Sequence, residues 1–484
     1  MLLASLIGTA LAGPVDLVGF GSPGMARAGG GVALVDGAQT AFLNPALLQD
    51  MESTQLMVGA FLLRGSMRPM PGVWWDTNRD GLIDDSDQPL SVEVDPDPAD
   101  AISIALGRPI GGRFGLAFNA TVPVRRLLRI QTFEPSLPVY PMLSNTAQRF
   151  DMALGFGWEQ LPGLSIGGAV QVIARSRCSL TTTLDLHLRG AEEGDTGVEA
   201  LISELSLDPH LMTVDIVPAL APMAALHWDV GRVAPALEGL ALGATWRAST
   251  GVPVDVEVDL QANVQVEDVG ELGPMGLTLL APLRLVVFDH YLPEQWAFGA
   301  AYRREDRFVL FLDGRHTRFG PMQLSVAQVV DSEVRSQLLG DASVPIEDGN
   351  PAGGELRNTT SVRGGGELTL PRWEPGQGLG WLQGVVRLAA GYEPAALRAQ
   401  GASTALLDAD RLLLAGGLGV AHGDPFDLVA GPVRWDLHVQ AQVLGEGQLA
   451  VDTTPYRAGA PVDGGSLPIG GTLWTAGLQT SIDY

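Results

Sequence analysis

Trp474, Ala476, Leu478, Thr480, Ile482 and Tyr484 alternate with Thr475, Gly477, Gln479, Ser481 and Asp483 at the end of the chain. Successive side chains of a strand point to opposite faces, so this stretch shows an apolar row on one side and a mostly polar row on the other. Val433, Trp435, Leu437, Val439, Ala441 and Val443 repeat the pattern against Arg434, Asp436, His438, Gln440 and Gln442. Phe114, Leu116, Phe118, Ala120 and Val122 do so against Gly115, Ala117, Asn119 and Thr121, and Phe150, Met152, Leu154, Phe156 and Trp158 against Asp151, Ala153, Gly155 and Gly157. A single such segment fits a soluble sandwich equally well. Repetition, ionisable groups on the non-apolar rows and a last strand closing on an aromatic residue favour a transmembrane barrel.

Composition agrees. The chain has 484 residues, 61 of them Gly, and its apolar runs fall short of the ~20 residues a membrane helix needs. A barrel satisfies every backbone hydrogen bond in lipid without helices. The net charge of -25 argues against a nucleic-acid partner, since phosphate binding needs a basic surface. No Lys occurs, so all 30 positive residues are Arg, and Cys178 is the single cysteine, which excludes disulfides and zinc clusters.

At the N-terminus, Leu2 to Ala12 is a short apolar run closing on Ala10-Leu11-Ala12, the small-x-small form of a signal-peptidase site, without a positive segment before it. Gly19-Phe20-Gly21-Ser22-Pro23-Gly24 mimics a dinucleotide-binding turn. Pro23 inside the turn, Gly29-Gly30-Gly31 where a helix should run, and the lack of alternating strands and helices argue against it.

Gly21 to Val35, GSPGMARAGGGVALV, running on to Ala41-Phe42-Leu43-Asn44-Pro45-Ala46-Leu47, resembles the N-terminal hatch of the FadL-like family, outer-membrane transporters of long-chain fatty acids and other hydrophobic compounds. Tyr291-Leu292-Pro293-Glu294, Ala390-Gly391-Tyr392-Glu393-Pro394 and Asp408-Ala409-Asp410-Arg411 extend the resemblance over nearly the whole chain. It implies a passive transporter with no catalytic residue, in the Gram-negative outer membrane with both termini periplasmic. Its surroundings would be outer-membrane lipids and lipopolysaccharide, and the barrel assembly machinery would insert it.

Counted without the family, strands fall at 53–64, 100–108, 113–123, 147–157, 164–180, 213–228, 239–258, 294–303, 306–318, 357–371, 384–394, 410–420, 433–445 and 470–484. The even total of fourteen suits a bacterial single-chain barrel and is also the family's number. The expected fold is therefore all-β: a fourteen-stranded antiparallel transmembrane barrel over 53–484, a hatch over 13–52 and a signal peptide over 1–12. Longer connections, including 65–99, 124–146, 181–212 and 259–293, face outward; Val198, Leu201, Ile202 and Leu205 of the third are at helical spacing.

A barrel this wide needs something to fill it, because diameter grows with strand number. Residues 13–52 suit a plug, whose Phe20, Met25, Phe42 and Leu43 are candidates to meet a ligand tail. Asn44-Pro45-Ala46 would fix the turn from plug to first strand. Leu277 to Phe288 is apolar without alternation; Leu279, Leu283, Leu285 and Val287 would take a fatty-acid tail and Arg284 its carboxylate. Arg307, Asp313, Arg387, Arg411, Asp151, Asp436 and His438 would face the lumen.

Asp76, Asn78, Asp80, Leu82, Asp84 and Asp87 occupy positions one, three, five, seven, nine and twelve of a calcium-type loop with Gly81 at six, Leu82 contributing its carbonyl. A structural Ca2+ is the one cofactor expected. Two other functions are compatible with a barrel: a docking or shuttle protein for surface proteins, and an outer-membrane lipid hydrolase. The hydrolase needs a Ser-His pair, and no Gly-x-Ser-x-Gly signature accompanies the seven histidines.

Overall fold

The computed structural model describes residues 21–70, 74–75, 88–89, 94–96, 98–125, 138–143, 150–188, 202–266, 275–305, 307–322, 328–332, 334–336, 340–342, 355–374, 381–397, 406–423, 431–450 and 466–484, with the backbone alone at 74–75, 88–89, 450 and within 174–217, 252–291 and 328–342. Among the described residues, fourteen strands form the wall: β1 Gln55–Met67, β2 Ala99–Ile110, β3 Phe114–Pro123, β4 Asp151–Leu161, β5 Leu164–Leu188, β6 Ile202–Asp229, β7 Leu240–Arg247, β8 Glu294–Arg304, β9 Phe308–Arg318, β10 Thr359–Thr369, β11 Leu382–Glu393, β12 Arg411–His422, β13 Val433–Ala450 and β14 Ser466–Asp483. Every neighbour pairs antiparallel, and β14 closes on β1 from Gln55↔Asp483 to Met67↔Gly471. Tyr484 N–H donates to Thr54 O at 2.7 Å, so the wall's first and last strands meet at one end, which also carries the short turns. We call it the turn end and the other the loop end.

The rows read from the alternation lie as expected. Leu106, Phe118, Leu154, Leu310, Leu388, Leu437 and Leu478 stand exposed on the outer face, whereas Ser103, Asn119, Gln171, Gln440, Thr475 and Gln479 are buried on the inner one. Exposed aromatic residues gather towards both ends of the outer face: Trp158, Trp228, Tyr302, Phe308 and Trp435 at the turn end, Trp296, Tyr392 and Trp474 towards the loop end. Such girdles mark where a bilayer meets water, since an aromatic ring combines an apolar body with a polarisable face or polar tip.

Three expectations are corrected. The stretch 239–258 is not one strand: β7 ends at Arg247, and Thr250–Val266 leaves the wall to pair with Met275–Leu292. Thr250–Val266 also pairs parallel with the outer half of β5, from Val256↔Cys178 to Val266↔Leu188. That edge of β5 is open there because β4 ends at Asp151↔Ile173, and an unpaired edge recruits a strand. Ile202 and Leu205 lie on β6, so their helical spacing reports no helix. Arg307 is exposed in the turn between β8 and β9, one residue before Phe308, and does not face the lumen.

Candidate functional site: the lumen and the segment inside it

Residues 21–51 lie within the wall, and nearly all are buried. A short helix, Gly21–Ala26, is followed by a reversal in which Ala28, Gly29 and Gly31 have φ of 57°, 73° and 102°, values that favour glycine. A second short helix, Thr40–Leu43, leads to Asn44, which is extended at φ -150° and caps the 3-10 turn Pro45–Asp50. Asn44 Oδ1 accepts from Ala46 N–H at 3.1 Å, while its Nδ2 donates to Val32 O at 2.7 Å and to Leu226 O of β6 at 3.2 Å. One side chain therefore joins the turn, the reversal and the wall. Asn44→Ala is expected to weaken docking of the segment by about 1–2 kcal/mol, the usual cost of a lost cap, seen as faster amide exchange over 40–50 with the wall strands unchanged.

Towards β9–β13 the segment is held by charge. The Arg27 guanidinium, buried, contacts Asp36 and donates through Nη1 to Glu367 of β10 at 2.6 Å. Arg387 of β11 lies 3.6 Å from Glu367 and donates to Asp436 of β13 at 2.7 Å. The Asp313 carboxylate of β9 takes the Gly31 and Val32 amides, and Arg315 Nη2 donates to Gly29 O at 3.1 Å. Ser22 N–H reaches Gln479 at 2.9 Å and its hydroxyl pairs with His438 Nδ1 at 3.0 Å. The bonds made by Arg27, Arg315, Arg387 and Asp313 are charge-assisted and lie away from bulk water, where hydrogen bonds are strongest.

Towards β2–β6 the contact is backbone on bare backbone. A Cβ on Gly157 would lie 2.5 Å from Pro45 O, and a Cβ on Gly115 or Gly167 would strike Leu48 or Ala46 in the same way. Glycine is required there by close approach. Met25, Val32, Phe42 and Leu43 pack in one buried cluster with Ala153 and Ala297, and Leu48 and Met51 pack in another with Met57, Ala105 and Ala117. Of the candidate ligand contacts, Met25, Phe42 and Leu43 are thus brought together inside the barrel, while Phe20 lies outside the described residues.

At the turn end a cavity of about 800 Å³ opens between the segment and the wall, lined by Leu34, Leu47, Met51, Ala301, Arg303 and Asp50 among others. Burial pushes the Asp50 carboxyl up to about 6, against the pull of its hydrogen bond from Gln49 and the charge of Arg232. The protonated form is favoured in the docked state, so this contribution is full below the ordinary carboxylate range and lost as pH rises through about 6. At the loop end, 138–143 folds in against other connections: Tyr140, Leu143, Leu407, Leu444, Leu467 and Leu473 form one core, and Met142, Phe319, Leu356, Leu397 and Leu406 another.

Leu279, Leu283, Arg284, Leu285 and Val287 all lie on the strand Met275–Leu292, outside the wall, rather than on an unstructured loop. The twelve residues from Asp76 to Asp87 lie outside the described residues, and among those described no three His, Cys, Asp or Glu side chains gather as a metal site. Asp151, Asp313, Arg387, Arg411, Asp436 and His438 are buried on the inner face as expected. Arg27, Glu367, Arg363 and Glu393 were not singled out in the sequence. An Arg in a Gly/Ala run and acids at inward positions were the available signal.

No family model matches the chain, and no curated protein matches it. Among solved structures it is similar to a Pseudomonas aeruginosa FadL homologue, with TM-score 0.53 and 14% identity over 98% of this chain and 99% of that one. Matches also cover the Pseudomonas putida toluene transporter TodX (TM-score 0.48, 11% identity, 97% and 99% of the two chains) and the CymD monoaromatic hydrocarbon channel (0.45, 12%, 97% and 98%). At such identities the likeness is one of fold: the chain folds as a FadL-type barrel.

Proposed function

We propose that the chain is a FadL-like outer-membrane transporter that takes up long-chain fatty acids or other hydrophobic compounds passively, with residues 13–52 as its hatch. The observation that carries this reading is a segment bound by side-chain clasps inside a closed fourteen-strand wall whose outer face is apolar. A barrel of this width needs an occupant, and an occupant held by reversible contacts is a gate. Short turns at the end that carries the first and last wall strands support placing the termini in the periplasm, as in bacterial barrels.

In this reading the strand Met275–Leu292 is the capture surface, with Leu279, Leu283, Leu285 and Val287 for the tail and Arg284 for an acidic head. The hatch closes the way to the turn-end cavity, where a released compound would rest beside Leu34, Leu47 and Met51. Calcium at Asp76 to Asp87 would pin an outward loop. Uptake of radiolabelled oleate by a transporter-deleted bacterial host tests the whole scheme. The chain should restore uptake well above empty vector, and loss of Arg284 and Leu285 together should reduce it; a folded, heat-modifiable barrel that brings in neither oleate nor an aromatic hydrocarbon would sink the proposal.

A further inference from the structure

Residues 138–143 belong to the connection from β3 to β4, yet they pack against the far side of the mouth. Met142 lies in one buried cluster with Phe319, which follows β9, and with Leu356, Leu397 and Leu406; Val139 packs against the same cluster. Tyr140 and Leu143 lie in the other, with Leu63 and Met67 of β1, Leu444 of β13, and Leu467 and Leu473 of β14. β9 is the sixth strand from β3 in a wall of fourteen, nearly diametric to it, so the segment crosses the mouth as a strap. Tyr140, Met142 and Leu143 are all buried there.

The strap is also latched. Val139 O accepts from Leu407 N–H at 2.7 Å, and Leu143 N–H closes a turn on Tyr140 O at 3.0 Å. The Tyr140 hydroxyl donates to Gly470 O at 3.2 Å and accepts from Gly470 N–H at 3.1 Å, since a phenol is both donor and acceptor. The β13–β14 register passes over Gly470: Leu444 faces Gly471 and Gly447 faces Ile469, so the backbone groups of Gly470 lie outside that ladder. Irregularities of this kind re-aim a strand's polar groups, and buried backbone groups need partners. Tyr140 supplies one.

We propose that residues 138–143 are an outer gate, a strap whose Tyr140, Met142 and Leu143 occupy the apolar lining of the mouth until an entering hydrophobic compound displaces them. This rests on the transporter reading and adds a step to it ahead of the hatch. Apolar contact is non-directional, so a hydrocarbon offers Leu444, Leu467 and Leu473 the same burial that the strap does. Met67, Met70 and Met142 line the two clusters, and unbranched thioether side chains repack around a new shape readily. Cargo binds the strap-out state and so shifts the population towards it. The bonds to Gly470 hold the gate shut without cargo, and water replaces them once the strap lifts.

The test is amide exchange on the full chain in lipid nanodiscs, with oleate and toluene as probes and heat-modifiable migration to confirm the fold. Saturating oleate should speed exchange over 138–143 by about tenfold or more, because a displaced strap loses its burial, while exchange along β13 stays as it was. Tyr140→Phe keeps the ring and removes both bonds to Gly470; it should speed exchange over the strap about tenfold with no cargo present and hasten oleate entry. Met142→Ser with Leu143→Ser should loosen the strap from its apolar side. A strap that neither probe loosens, or that oleate protects further, would be a fixed roof and would overturn the gate, as would Tyr140→Phe exchanging at the native rate. Loosening by oleate without cellular uptake would remove the transporter reading and leave the gate, and uptake with exchange over 138–143 indifferent to cargo would do the reverse.

Discussion

Replacing Arg27 with Met is expected to unlatch the lumenal segment while the wall stays folded. The guanidinium is buried against Asp36 and Glu367, and without it Arg387 is the cation left within ion-pair distance of Glu367 among the described residues. Removing one partner of a buried pair leaves the other charged and desolvated, which costs about 3–5 kcal/mol, and this falls on the docked state alone because a released segment can hydrate its acids. In planar bilayers the native chain should conduct little, and Arg27→Met should raise the open fraction by a hundredfold or more. Glu367→Gln placed on top should recover part of the loss, because the uncompensated carboxylate has gone and Arg387 keeps Asp436. Heat-modifiable migration should be unchanged, since the ladder from β1 to β14 uses no atom of Arg27. Conductance that stays at the native level would show that the clasp does not hold the segment.

Gly157→Leu attacks the same docking from the opposite side. Its Cβ would start 2.5 Å from Pro45 O and its branch would extend into the turn Pro45–Asp50. A flexible neighbour could yield, but here the obstacle is backbone fixed by Asn44, so the segment must move or the strand must bend. Overfilling of this kind costs on the order of 1–3 kcal/mol, and more where backbone is struck. Ejected residues should become open to protease over 21–50, with wall strands protected. Gly111→Ala at the β2–β3 turn controls for loss of a glycine as such: its Cβ meets nothing within 4 Å, although its φ of 61° adds some strain. If Gly157→Leu leaves the segment as protected as in the native chain, the close approach at Gly157 is not what seats it.

The wall was legible because its grammar is local. Alternation along Trp474 to Tyr484 or Val433 to Val443 needs nothing beyond the strand's own period, and fourteen strands followed by counting. The counting failed where the period continued across a break: 239–258 alternates through Ala248 and Ser249, yet the chain leaves the wall there for the free edge of β5. The helical spacing of Ile202 and Leu205 misled because a few coincidences of position carry no weight against a 28-residue strand. In the lumen, Asn44-Pro45-Ala46 was legible as a turn from its chemistry, and the Asn cap is where that chemistry puts it. The clasp was not. Arg27 and Glu367 are 340 residues apart, and only the barrel's closure makes them neighbours.

If passage requires the lumenal segment to move, locking that segment to the wall should stop uptake. Ala41 and Gly155 bring a Cβ and a would-be Cβ to 3.0 Å, about 0.5 Å inside the disulfide range, so a small outward shift admits the bond, and with Cys178 replaced by Ser, the paired substitutions Ala41→Cys and Gly155→Cys provide a switchable tether. Oleate uptake is then followed in cells before and after reduction. Uptake should fall near the vector background when the tether is oxidised and recover to the level of the parent chain on reduction. Uptake that is equally fast in both states would contradict it.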